Sequence, residues 1–139
     1  MLMKAASAAF LMLSLVGISA LTVAQSQERP DESKAHMGER TFKVYCTSCH
    51  GPAAKGDGPL AKDLKTKPAN LTELSKRNDG AYPLQMVLDT IDHGRNVAGH
   101  GSQDMPAWGD AFEMTEQTEA AAKAKIEQVA HYLWSIQVQ

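Results

Sequence analysis

Two thiols and an imidazole stand within five consecutive residues, Cys46-Thr47-Ser48-Cys49-His50. Cysteines at i and i+3 near a helix end face the same way, so each can form a thioether to one vinyl group of a haem. The next residue, His50, then lies under the ring with a nitrogen available to the iron. C-x-x-C-H is the attachment signature of c-type haem. Covalent attachment keeps the cofactor on the chain in an extracytoplasmic compartment, where a free one would be diluted.

Three other chemistries use similar residues. A thioredoxin-like dithiol sits at a strand-to-helix junction in a βαβ context, which this sequence lacks. A zinc site needs a fourth ligand, and His93 and His100 are poorly spaced for one. A disulfide between Cys46 and Cys49 would close a loop too small to stabilise much. With no other cysteine in the chain, haem is the reading carried forward.

A haem iron takes a sixth ligand, and Met105 is the best candidate. It lies in a Gly-rich stretch before the last helix, within Gln103-Asp104-Met105-Pro106-Ala107-Trp108-Gly109. Pro106 stiffens the backbone beside the thioether, and Trp108 can fill apolar space near it. A His/Met pair suits electron transfer, because a soft thioether favours reduced iron and raises the potential. His100 is the second candidate and would make a bis-His site of lower potential. Met37, Met86 and Met114 are assigned to packing. His93 reads as a cation at a helix C-terminus, and His36 and His131 as surface or structural groups. No nucleophile or general-base set accompanies them, so the chain is not expected to be an enzyme.

These residues must be positioned by helices. A segment from about residue 34 to 47 has Gly38, Phe42 and Tyr45 near helical spacing. Residues 51–70 hold three glycines and three prolines and read as loop, with one helical turn after Pro59. Thr72 is expected to cap another short turn. Pro83 suits the start of a helix whose stripe is Leu84, Val87, Leu88 and Ile91, ending at Gly94. Residues 94–109 form a second Gly-rich loop. Thr115 is the expected N-cap of a last helix carrying Ile126, Val129, Ala130, Leu133 and Trp134 on one stripe. No run alternates as a strand would, so the expected fold is all-α.

The chain has 139 residues, 43% of them hydrophobic, with 14 Lys+Arg against 16 Asp+Glu. That bounds it to one domain, and a formal charge of −2 offers no footprint for nucleic acid. After Lys4, residues 5–24 carry no charge and have a greasy centre followed by small residues. This is the layout of a secretory signal peptide, with Thr22-Val23-Ala24 as cleavage site; left uncleaved, it is long enough to anchor the chain in a membrane. The expected organisation is therefore 1–24 signal peptide, 25–33 polar tether and 34–139 working domain, with a periplasmic location. Removing residues 1–24 from the 139 leaves 115, a modest core that an internal cofactor would complete.

Residues 35–137 resemble the class I c-type cytochromes, the small bacterial monohaem electron carriers. The resemblance rests on C-x-x-C-H, on Gly38 and Phe42 eight and four residues before the first haem cysteine, and on a late Met-Pro-x-Trp. It implies a cytochrome c-like fold in which the first and last helices cross, with Val129 and Tyr132 as matching positions, and haem enclosed by two large loops. It also implies one haem c, bound through Cys46 and Cys49 and ligated by His50 and Met105. In this family a Gly-Pro follows the motif, and its proline carbonyl accepts the histidine's Nδ1–H. Gly58-Pro59 matches that pair, with Pro52 as the alternative. Asn70, Arg77 and Arg95 are candidates for holding the haem propionates.

The resemblance implies an electron carrier, monomeric when free, that serves redox protein partners. Two other roles stay open: haem subunit of a dehydrogenase, oxidase or reductase complex, and gas-binding or peroxidatic protein with an open sixth site. Charge speaks to the partners. Residues 55–77 hold six bases against three acids, whereas residues 78–119 hold one base against eight acids. Such a dipole would orient encounters with a redox partner.

Overall fold

The computed structural model describes residues 29–94 and 105–138. The signal-peptide segment, most of the tether, His100 and Arg95 lie outside the described residues. Among those described there are five α-helices, three single 3-10 turns and no strand, so the fold is all-α.

Helix α1 (Glu32–Tyr45) starts where the Asp31 carboxylate accepts the Lys34 N–H at 3.0 Å and buries Ala35, Gly38 and Phe42 along one stripe. The single turn α2 (Thr47–His50) follows directly and ends at Gly51, whose φ of 78° turns the chain away. The 3-10 turn Ala61–Asp63 comes just after Pro59, as expected. The next, Leu71–Glu73, is capped by Asn70 rather than Thr72. The Asn70 carboxamide oxygen accepts from both the N–H and the hydroxyl of Thr72, at 3.1 and 2.8 Å, an Asx cap on a turn that begins two residues earlier than a Thr72 cap would start it.

Helix α3 (Leu84–His93) buries Val87 and Ile91 and stops at Gly94, as its sequence predicts. The next stretch departs from expectation. Residues 108–116 form a helix of their own, α4 (Trp108–Glu116), which the Gly-rich composition concealed. Trp108 and Phe112, one turn apart, stack at 5.5 Å and supply the apolar contact that outweighs Gly109. Thr115 therefore lies inside α4, its hydroxyl donating to the Phe112 carbonyl at 3.0 Å. Gln117, at φ 65°, ends α4, and Thr118 caps α5 (Glu119–Ser135) by accepting the Ala121 N–H at 3.2 Å.

Helix α5 buries Ala122, Ile126, Val129, Ala130 and Leu133, a helical stripe that packs chiefly on α1. Phe42 meets Tyr132 with ring centroids 5.3 Å apart, and Lys34 pairs with Glu127 at 2.7 Å across the same crossing. Tyr82 fastens the loop before α3 to this pair, donating its hydroxyl to the Ala130 carbonyl at 2.8 Å and stacking on Trp134 at 5.0 Å. Met86 and Met114 do not pack: they are 62% and 84% exposed, each on the outward side of a short helix.

Candidate functional site

The attachment motif occupies the joint between α1 and α2. Cys46 closes α1 by donating its N–H to the Phe42 carbonyl at 2.9 Å, and its own carbonyl receives the His50 N–H at 2.9 Å. One helical turn thus places Cys46, Cys49 and His50 together. Both cysteines are free thiols and half-buried. Burial, with Cys49 as a lesser cause, pushes the Cys46 thiol up to about 12. That is the opposite of the lowered pKa of a dithiol oxidoreductase.

His50 is buried, 9% exposed. Its Nδ1 lies 3.3 Å from the Ala69 carbonyl oxygen, which makes Nδ1 the protonated nitrogen and leaves the Nε2 lone pair for a metal. Burial lowers its pKa, against the opposing pull of the Ala69 bond, so the ring stays in the neutral form that ligates iron.

The expected partner of Nδ1 was Pro59, and the structure corrects this. Gly58 and Pro59 run instead against the backbone of α2: the Gly58 N–H donates to the Cys49 carbonyl at 3.1 Å and the Leu60 N–H to the Ser48 carbonyl at 2.9 Å. A Cβ on Gly58 would stand 2.5 Å from the Ser48 oxygen. The 51–58 loop folds on to residues 68–71, where the Leu71 N–H reaches the Ala54 carbonyl at 2.8 Å, and this brings Ala69 to the imidazole. Pro52, the alternative, is exposed. A backbone carbonyl carries no residue signature, so nothing in the sequence marked Ala69.

Met105 is half-buried and packs on the same apolar cluster as Cys46, Leu71, Leu74, Leu84, Leu88 and Trp108. Tyr45, next to Cys46, makes edge contacts with Trp108 at 5.6 Å and Phe112 at 5.2 Å. An aromatic trio thereby ties the attachment end of α1 to the helix that follows Met105. Tyr45 had been read only for its helical spacing; its value as an anchor shows once α4 is in place. The candidate propionate groups are engaged locally. Asn70 caps its turn, and Arg77 donates to the Asn70 carbonyl at 2.8 Å and faces Glu73 at 3.6 Å.

Two free thiols, a neutral buried imidazole with one nitrogen left over, and half-buried aliphatic side chains packed on the same apolar cluster fit a covalently held haem. They do not fit zinc: among the described residues no group of three or more His, Cys, Asp or Glu converges on a metal-sized site.

Comparison with known proteins agrees. No curated protein matches the chain. Among solved structures, it is similar to a chain of the reducing HAO-like protein complex of Kuenenia stuttgartiensis, with a TM-score of 0.56 and 20% identity. The match covers 81% of this chain and 47% of that one, so this chain spans less than half the length of that relative. At this identity the likeness shows the fold. Residues 33–133 match the family described as cytochrome c oxidase, cbb3-type, subunit III. The match takes in both haem cysteines, His50, Met105 and the α1–α5 crossing, and the chain belongs to this family as a small c-type cytochrome, a haem-bearing electron-transfer protein.

Proposed function

We propose that the protein is a periplasmic single-haem electron carrier in which His50 and Met105 would ligate the haem iron, and that it performs no catalysis of its own. The observation that carries this reading is the buried His50, its Nδ1 committed to Ala69, beside two free thiols one helical turn long. When bound, haem supplies a one-electron Fe(III)/Fe(II) couple. Cys46 and Cys49 hold it to the chain, His50 offers Nε2, and the Ala69 carbonyl keeps that tautomer. Met105 offers a thioether that favours the reduced state. The surrounding leucines exclude water, which limits reorganisation during electron transfer. Were His50 and Met105 both to ligate the iron, they would keep oxygen and peroxide from it.

The partner-facing side is the basic loop. Lys55, Lys62, Lys65 and Lys67 are all exposed, as is Leu60 at 49%. The loop is bonded directly to the attachment turn through Gly58 and Leu60. A redox protein with an acidic face would be steered to this side.

A second reading is favoured by the family's description as an oxidase subunit and by a likeness to a chain within a multi-protein complex. In that reading the domain passes electrons inside such an assembly, and exposed Val44, Met86 and Met114 are available to neighbours. Purification from the native source separates the two: a free carrier elutes alone, and a subunit elutes with its complex. The ligand set is tested in the oxidised protein by the Met-to-iron charge-transfer band at about 695 nm. Its presence, with slow carbon monoxide binding in the reduced protein, supports His/Met ligation; its absence with fast binding means an open sixth site.

A further inference from the structure

Met105 lies between two close backbone approaches. Gly94, which ends α3 with φ 72°, is so near the returning chain that a Cβ there would stand 2.8 Å from the Met105 carbonyl oxygen and 3.1 Å from the Ala107 nitrogen. In the first turn of α4, a Cβ on Gly109 would stand 1.8 Å from Asp92 Oδ1 and 3.0 Å from the Asp92 carbonyl oxygen. The C-cap of α3 therefore meets the Met105–Ala107 segment, and the last turn of α3 meets the first turn of α4 where Asp92 lies against Gly109. Ala107, the N-cap of α4, provides no side-chain cap. The carboxylate that stands there is Asp92, whose side chain is 30% exposed, and negative charge at a helix N-terminus is stabilising. Its other oxygen faces His93 Nε2 at 3.8 Å.

We propose that Asp92 is the positioning residue for Met105: its carboxylate, seated on Gly109, pins the start of α4 to the end of α3 and so holds the thioether available as a ligand. The inference rests on Met105 as the sixth ligand. Gly109 serves it by leaving room for the carboxylate, and Gly94 by letting the backbone of the Met105 segment pass.

The test uses the reduced haem-loaded protein, where carbon monoxide binds only when the thioether has left the iron. Asp92→Ala, which only removes atoms, and Gly109→Ala, which displaces a side-chain end, should each raise the binding rate about fivefold. In the oxidised protein each should also weaken the charge-transfer band, with helix content and haem attachment unchanged. Because both act on one contact, the double variant should add little to either. Asp92→Asn keeps the shape and an acceptor oxygen but loses the charge, and should fall between the wild type and Asp92→Ala. Asp89→Ala is the control, since Asp89 lies on the same helix and, among the described residues, accepts from the Gln85 carboxamide at 2.8 Å; it should change nothing. Wild-type rates and band in both Asp92→Ala and Gly109→Ala would overturn the proposal, as would an equal effect from Asp89→Ala. Met105→Ala separates the two levels. If it leaves the band intact, the ligand assignment fails and the positioning role goes with it; if it abolishes the band while Asp92→Ala has no effect, only the positioning role fails.

Discussion

Gly38 of α1 approaches α5 so closely that a Cβ at this position would stand 1.9 Å from the backbone carbonyl oxygen of Gln128. The next nearest atom outside that residue, the Val129 nitrogen, would be 2.8 Å away. Both are backbone atoms, so no side chain can rotate out of the way, and Phe42 packs its ring at a tilt on Tyr132 one turn further on. The crossing fixes the direction in which α1 delivers Cys46 to the site.

Gly38→Ala should consequently destabilise the fold by about 2 kcal/mol or more, as overpacking does in a close-packed core. Urea unfolding of the haem-loaded protein measures this as a lower midpoint. An alanine variant with an unchanged midpoint would mean that the helices separate without cost, and that the crossing does not set the position of the motif.

The N-terminal end of the same crossing is sensitive to pH. The Asp31 N–H donates to His131 Nδ1 at 2.9 Å, a bond that requires the neutral ring. Burial, followed by the nearby Lys34, lowers the His131 pKa below 6.5, against the smaller pull of Asp31 and Glu127. The unfolded chain then binds the proton more readily than the folded one, so stability is full above about 6.5 and falls as pH drops toward the depressed folded value. His131→Gln should flatten that part of the stability–pH curve in thermal melts across the window. If the variant keeps the wild-type slope, another group is responsible.

Charge on the post-motif loop makes a kinetic prediction. Reversing Lys62, Lys65 and Lys67 to Glu should slow electron transfer to an acidic partner about tenfold or more at low salt and remove most of its salt dependence. The reduction potential should change little, because these side chains are exposed to solvent. Stopped-flow transfer at several ionic strengths provides the readout, and a wild-type rate that is flat with salt would contradict the steering role.

Much of this arrangement was legible in the sequence, and the reasons differ by residue. The C-x-x-C-H motif is local, so its chemistry can be read without a fold. The stripes of α1, α3 and α5 are periodic, and their apolar faces pack as the spacing implies. Gly94 stops α3 where a glycine should. Helix α4 was hidden because Gly109 looks like a breaker, whereas here its missing side chain makes room for Asp92 from another helix. Thr115 and Thr118 are equally good caps by composition, and only the extent of α4 decides between them. The bond from His50 to Ala69 could not be read at all, since its acceptor is a main-chain oxygen brought near by the fold of the 51–58 loop.

The thiols provide the test of cofactor removal. Cys46→Ser or Cys49→Ser leaves one possible thioether, and the double variant leaves none. Acidified organic solvent should therefore extract haem from the double variant and leave it on the wild-type protein. The extracted chain should also melt lower, because the half-buried Leu71, Leu74, Leu84 and Leu88 lose the apolar surface they would otherwise cover. Retention of haem by the double variant would show that attachment does not depend on these residues.

The central claim is that Cys46 and Cys49 carry one covalently bound haem, and intact-mass spectrometry of the exported protein under denaturing conditions addresses it directly. The predicted result is a single species heavier than the processed chain by the mass of one haem, with the addition mapped to the peptide containing Cys46 and Cys49. A bare-chain mass with both cysteines free to react with an alkylating agent, or joined as a disulfide, would contradict it.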